Sequence, residues 1–205
     1  MPGVTGSSPV SSTIFTTSQE PVIAIRPWTL RQRALVFAER PWVEVYADTW
    51  ELPDGGVRDR FHHIVLPEYA VVVPVTGDGR FVMVREFKQG PGAIVLNAPA
   101  GGLHPGEDPL DAARRELLEE TGYAAGDWRA LGSFVVDGST GCGRAHLFLA
   151  RGAAPVAAPQ LDATEEIDVV VLDEAALRDA LRSAEIPMLP TACAVGLALL
   201  ALSDP

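Results

Sequence analysis

Cysteine is scarce in this chain, and positive charge is outnumbered. Cys142 and Cys193 are the only two cysteines among 205 residues. Their separation fits no metal-ligand spacing, so they read as free thiols in a reducing compartment. Sixteen Lys and Arg stand against 27 Asp and Glu, giving a net charge of −11. That balance argues against a nucleic-acid backbone or an anionic membrane as the main partner. The apolar run from Ala192 to Leu202 is too short to span a bilayer. Residues 1–21 are rich in Ser, Thr, Gly and Pro and lack a basic start followed by an apolar stretch, so they do not read as a secretory signal. They are expected to be a disordered tail. No internal repeat is visible. What remains, with 47% apolar residues overall, suits a cytoplasmic globular protein of one domain plus a small extension.

The most informative stretch runs from Gly101 to Tyr123. Asp108 is a good N-cap, Pro109 suits the first helical position, and Gly122 supplies the stop. Asp111 puts negative charge in the first turn, where the helix dipole favours it. Leu110, Ala113 and Leu117 fall on one stripe, the candidate core face. Glu116, Glu119 and Glu120 crowd one flank, at a cost of roughly a few tenths of a kcal/mol per like-charged pair. Arg115, four residues from both Asp111 and Glu119, offsets part of this. A divalent cation would offset more, because Mg²⁺ favours clustered oxygen ligands. The Gly-rich loop before the helix lets the backbone approach a phosphate or metal. The plain alternative is a solvated acidic helix face.

Along the chain, residues 22–40 show no clean period. Residues 42–51 alternate as a strand does, Pro53 to Gly56 is a turn, and Val57 to Leu66 completes a hairpin. Tyr69 to Thr76 fits a buried strand, and Asp78-Gly79 leads into a further strand, Phe81 to Phe87. Ile94 to Asn97 is a short strand feeding a loop at Pro99 to Gly102. Strands are expected over Trp128 to Val136, Ala145 to Ala150 and Ile167 to Leu172, with a Gly-rich loop from Gly138 to Gly143 and a surface loop over 152–164. Asp173 caps a helix to about Ser183, and 191–202 form a last apolar helix packed on the sheet. Periodicity alone yields only a mixture of helix and strand.

The box of residues resembles the signature of the Nudix hydrolases at every specified position: Gly101, Glu107, Arg115, Glu116, Leu117, Glu119, Glu120, Gly122 and Tyr123. The resemblance implies an α/β fold, an α/β/α sandwich with a mixed sheet, preceded here by an N-terminal β-hairpin extension. The implied organisation is a tail over 1–21, an extension over 22–66 for dimerisation and base binding, and the hydrolase domain over 67–205. Beyond the box, Val84 to Gly90 is similar to the Arg-Gln-Tyr-Arg stretch of ADP-ribose and nucleotide-sugar pyrophosphatases, and Asn97 to Gly102 to their Glu-Leu-Pro-Ala-Gly-Gly loop. Lys88 departs from Arg, which replaces a bidentate fork by a point charge. Asn97 departs from an acid. Ser139 and Thr140 stand where ADP-ribose enzymes typically carry Pro, which leaves other nucleotide sugars open.

By the same resemblance the enzyme hydrolyses the diphosphate bond of ADP-ribose or a related nucleoside diphosphate sugar and works as a homodimer in which the N-terminal strands cross to the second subunit. Metal ligands are Glu116, Glu120, Glu119 and the carbonyl of Ala100, holding Mg²⁺ or Mn²⁺. Such ions neutralise the diphosphate and lower the pKa of an attacking water. Glu107 and Arg115 orient the carboxylates. Trp42 stacks on the base; Arg85 and Lys88 bind phosphate oxygens, with Arg58 and Arg60 weaker candidates. Glu165 or Glu166 is the general base. The alternatives are a Nudix hydrolase of nucleoside triphosphates or dinucleotides, which the hairpin and Trp42 disfavour, and a non-catalytic sensor, which has no need for the intact acidic cluster.

Overall fold

The computed structural model describes residues 25–162 and 166–203; the expected tail over 1–21 lies outside them. Strands β1 (Thr29–Glu39), β2 (Val43–Glu51) and β3 (Val57–Val65) form an antiparallel meander. The turn before β3 closes as its residues require: Asp54 accepts from the Gly56 N–H at 2.9 Å, and Gly55 takes a φ of 88°. β1 occupies the segment without a clean period. All of its residues are exposed, so no packed face imposes alternation on them. It is tied to β2 by a bidentate pair instead, Arg33 Nε and Nη2 on the buried Asp48 carboxylate at 2.8 and 2.7 Å.

The main body follows with β4 (Tyr69–Thr76), β5 (Phe81–Lys88), β6 (Ala93–Asn97), β7 (Ala100–Gly102), α1 (Pro109–Thr121), β8 (Tyr123–Ala124), β9 (Asp127–Asp137), β10 (Gly141–Pro155), β11 (Ile167–Leu172), α2 (Glu174–Arg182) and α3 (Leu189–Ser203). The sheet is mixed: β10 runs parallel to β4 and antiparallel to β9. Three segments expected as loops are strand in whole or in part, one of them Gly141 to Gly143, which opens β10. Ala100 to Gly102 pairs with Val71 to Tyr69, and β10 extends through Ala153, which is buried and pairs with Thr76. Ladder partners outweigh the poor strand propensity of Gly and Ala there.

Helix α1 lies on one face of the sheet. Its Ala112, Ala113 and Leu117 pack on Ala70, Val72, Phe148 and Ala150. On the other face Leu177 of α2 and Ala194, Val195 and Ala198 of α3 meet Val71, Val73, Met83, Leu147 and Leu149. Alternate residues of β4 and β10 thus serve opposite cores, which is why these strands read as continuous apolar runs. The result is the expected α/β/α sandwich. Among the described residues no helix is long and apolar enough to cross a membrane.

Candidate active site

Local chemistry places α1. Asp108 accepts from the Leu110 N–H at 2.8 Å, and Gly122 closes the helix with φ 71° and its N–H on the Leu118 carbonyl at 2.8 Å. The segment after β10 then covers the helix end. Val156 and Ala157 donate to the Gly122 carbonyl at 2.8 and 3.1 Å, and Gln160 donates to the Glu119 carbonyl at 2.7 Å. These contacts satisfy carbonyls that a helix terminus leaves open. They also bring Gln160 and Asp162 to the box.

Arg115 is the hub. Its Nε and Nη2 grip the two oxygens of Glu107 at 2.9 and 3.0 Å, and Nη2 also donates to the Gly102 carbonyl at 2.9 Å. Its Nη1 reaches Glu116 at 2.5 Å and Glu119 at 3.0 Å. Asp111, four residues away, pairs with Arg114 instead. The Arg115 fork, seconded by the His104 N–H, holds the Glu107 carboxyl down at about 2. Arg115 is correspondingly raised, first by Glu107.

Glu116 and Glu120 are buried. Glu120 accepts from the Ala100 N–H at 3.1 Å. Burial, then the nearby charges of Glu86 and Glu116, pushes its carboxyl up to about 9. The Glu116 carboxylate lies against the backbone of Gly101, where an added Cβ would come within 2.1 Å of its Oε1. A divalent cation fits this donor set: buried carboxylates one helical turn apart oppose one another, and a hard cation relieves that opposition. Among the described residues no three potential ligands already stand clustered for a metal; Arg115 engages Glu116 and Glu119.

These groups open onto a cleft of about 760 Å³, lined by Trp42, Leu103, His104, Arg115, Glu116, Glu119, Glu120, Gln160 and Asp162. Trp42 follows the β1–β2 turn of the same chain and is 68% exposed. A second cleft of about 470 Å³ meets the first at Gly102 and carries Lys88, Asn97, Ala100 and Thr191 beside Tyr69, Val71 and Met188. Arg85 and Glu166 line a third, with Glu86 and Ile94. Arg85 is engaged there by Glu185 at 2.7 Å. Arg58 and Arg60 on β3 line none of these three clefts. Glu165 lies outside the described residues. Where Pro was expected in related enzymes, Asp137 Oδ1 accepts from the N–H groups of Ser139 and Thr140 at 2.8 and 2.6 Å and fixes the β9–β10 turn.

Sequence reasoning missed Gln160, Asp162 and Glu86. The first two are delivered by backbone hydrogen bonds that no side-chain pattern announces. The signal for Glu86 was an acid set between Arg85 and Phe87 on a strand whose first four residues are apolar.

A family profile described as NUDIX domain matches residues 66–192. An ADP-ribose pyrophosphatase of Bacillus subtilis is 32% identical over 144 residues, 70% of this chain and 76% of that protein. A methanol dehydrogenase activator of Bacillus methanolicus is 34% identical over 136 residues, 65% of this chain and 73% of that protein. The fold is similar to the crystal structure of an ADP compounds hydrolase, with TM-score 0.75 and 23% identity over 88% of this chain and 96% of the other.

Proposed function

This chain belongs to the NUDIX family, and from that premise we propose that it splits the diphosphate bond of ADP-ribose or a related nucleoside diphosphate sugar into a nucleoside monophosphate and a sugar phosphate. The observation that carries the reading is one cleft combining the Arg115-braced carboxylates with the face of Trp42. The relative called an ADP-ribose pyrophosphatase supports the substrate class.

Glu116 and Glu120, with Glu119 and the Ala100 carbonyl, would hold Mg²⁺ or Mn²⁺. When bound, such an ion neutralises phosphate charge and activates water. Arg115 and Glu107 keep the carboxylates aimed. Trp42 offers a flat apolar face to the base, a contact worth roughly 1–3 kcal/mol. Lys88 sits in the adjoining cleft, suited to a phosphate oxygen at the far end of the substrate. Glu165, with Glu166 as the alternative, is assigned as the base that takes the water's proton. The same reading places the enzyme in the cytoplasm as a homodimer. Exposed Leu35, Val36 and Phe37 on β1 support the dimer.

The test is a product assay with Mg²⁺ across ADP-ribose, ADP-glucose, GDP-mannose, UDP-glucose, NADH and a nucleoside triphosphate. AMP and ribose 5-phosphate from ADP-ribose are expected. Pyrophosphate from the triphosphate with every nucleotide sugar untouched would refute the proposal.

A further inference from the structure

We propose that Glu86 is a positioning residue of this site: with Asn97, Thr191 and Lys88 it forms a buried, charge-assisted brace that fixes strand β7, against which Glu116 and Glu120 rest, and so supports divalent-cation binding there. The inference rests on the metal-site reading above.

Glu86 lies on β5 and is 8% exposed. Its Oε1 accepts from Asn97 Nδ2 at 2.7 Å, and its Oε2 meets Lys88 Nζ at 2.6 Å. The Asn97 carbonyl accepts in turn from the Thr191 hydroxyl, near the start of α3. Asn97 and Thr191 are each 3% exposed. Satisfied polar networks in low-dielectric surroundings are rigid and specific.

Asn97 ends β6, and the next two residues, Ala98 and Pro99, lead to Ala100 and Gly101. The Ala100 N–H holds Glu120, and the Gly101 backbone abuts Glu116. The brace therefore anchors the entry to strand β7, against which both carboxylates rest. Lys88, Asn97, Ala100 and Gly101 line one cleft.

Position 86 is a further departure from the related pyrophosphatases, beside that at Asn97. Their Arg-Gln-Tyr-Arg and Glu-Leu-Pro-Ala-Gly-Gly stretches put an amide at position 86 and an acid at position 97. This chain has an acid at 86 and an amide at 97. In this chain the two are hydrogen-bonded at 2.7 Å.

The experiment is a Mn²⁺ titration of the full chain, by calorimetry and by electron spin resonance of free ion, alongside thermal unfolding without metal. E86Q is expected to bind Mn²⁺ about tenfold more weakly, the low end for groups that hold metal ligands in place. The double variant E86Q/N97D moves the acid across the same hydrogen bond and is expected to bind within about threefold of wild type. E86Q with wild-type affinity would overturn the proposal. So would a folded double variant no better than E86Q, because the loss would then come from packing. If E86Q alone does not fold, the double variant against wild type decides: equal affinity supports the brace, and a tenfold loss overturns it. A wild-type chain that binds no Mn²⁺ removes the metal reading itself, an outcome distinct from wild-type binding that E86Q leaves unchanged.

Discussion

Gly101→Ala is the smallest change that reaches the carboxylates. Its Cβ would lie 2.1 Å from Glu116 Oε1, 2.2 Å from Cδ and 2.5 Å from Oε2. Ordinary contact begins near 3.4 Å, so the carboxylate must retreat by roughly 1.3 Å, the difference between 3.4 and 2.1. That retreat breaks its 2.5 Å contact with Arg115 Nη1. Misplacement of a reacting group by about 1 Å can cost roughly 100-fold in rate. We therefore expect kcat/KM on ADP-ribose to fall about 100-fold, equivalent to about 2.7 kcal/mol of lost transition-state stabilisation. Stability should change little. Gly101 does not have a positive φ, and the atom that must yield is the far end of a flexible side chain. Steady-state kinetics with Mg²⁺ and a thermal melt measure both. A variant within twofold of wild type in kcat/KM, at an unchanged melting temperature, would show that contact with Gly101 does not position Glu116.

Three further tests follow from the same geometry. Glu120 has a folded-state pKa raised to about 9 from 4.5, so its contribution to the stability of the metal-free fold is fully present below about 4.5 and is lost as pH rises toward 9. Metal-free Glu120→Gln should accordingly be at least as stable as wild type near pH 9, while Mg²⁺ raises the melting temperature of wild type alone; equal Mg²⁺ shifts would sink the assignment. Glu107 is depressed to about 2, so its contribution is present above pH 4.5 and lost as pH falls toward 2. Urea melts across that window should show wild type losing more stability than Glu107→Gln, and parallel losses would contradict the Arg115 clamp. Trp42→Ala should raise KM for the nucleotide substrate about tenfold with kcat retained, as the loss of one stacked ring implies. Its melting temperature should not move, since Trp42 is 68% exposed; an unchanged KM would remove Trp42 from the site.

Helix α1 was legible because everything that makes it is local. Asp108, Pro109 and Gly122 each act within a turn of themselves, and the structure uses all three. The β2–β3 hairpin was legible for a similar reason, a turn that closes on its own side chain. β1 was not, because a strand exposed throughout carries no period to read. The carboxylates of the box could be placed on one helix from their spacing. The surroundings of the site could not: Asn97 and Thr191 are 94 positions apart when they hydrogen-bond, and Gln160 arrives because its N–H finds a helix carbonyl. Such pairings depend on tertiary register, which a linear pattern does not encode.

The glycine at the head of the box has a reason to be glycine beyond the one its sequence context offers. From the sequence, Gly101 suits close approach of backbone to a phosphate or metal. In the structure its missing Cβ is space that Glu116 fills from fifteen residues downstream. The spacing from Gly101 to Glu116 is thus a packing constraint as well as a binding one. Arg115 closes the same unit from the other side, through Glu107 and the Gly102 carbonyl. A box braced in this way by its own residues can keep its carboxylates aimed whatever surrounds it. On the proposed function, discrimination among substrates would fall to groups outside it: Trp42 in the β1–β2 connection, Gln160 and Asp162 beyond β10, and Lys88 in the adjoining cleft. That division explains why the box speaks to the chemistry and stays silent on the base and sugar.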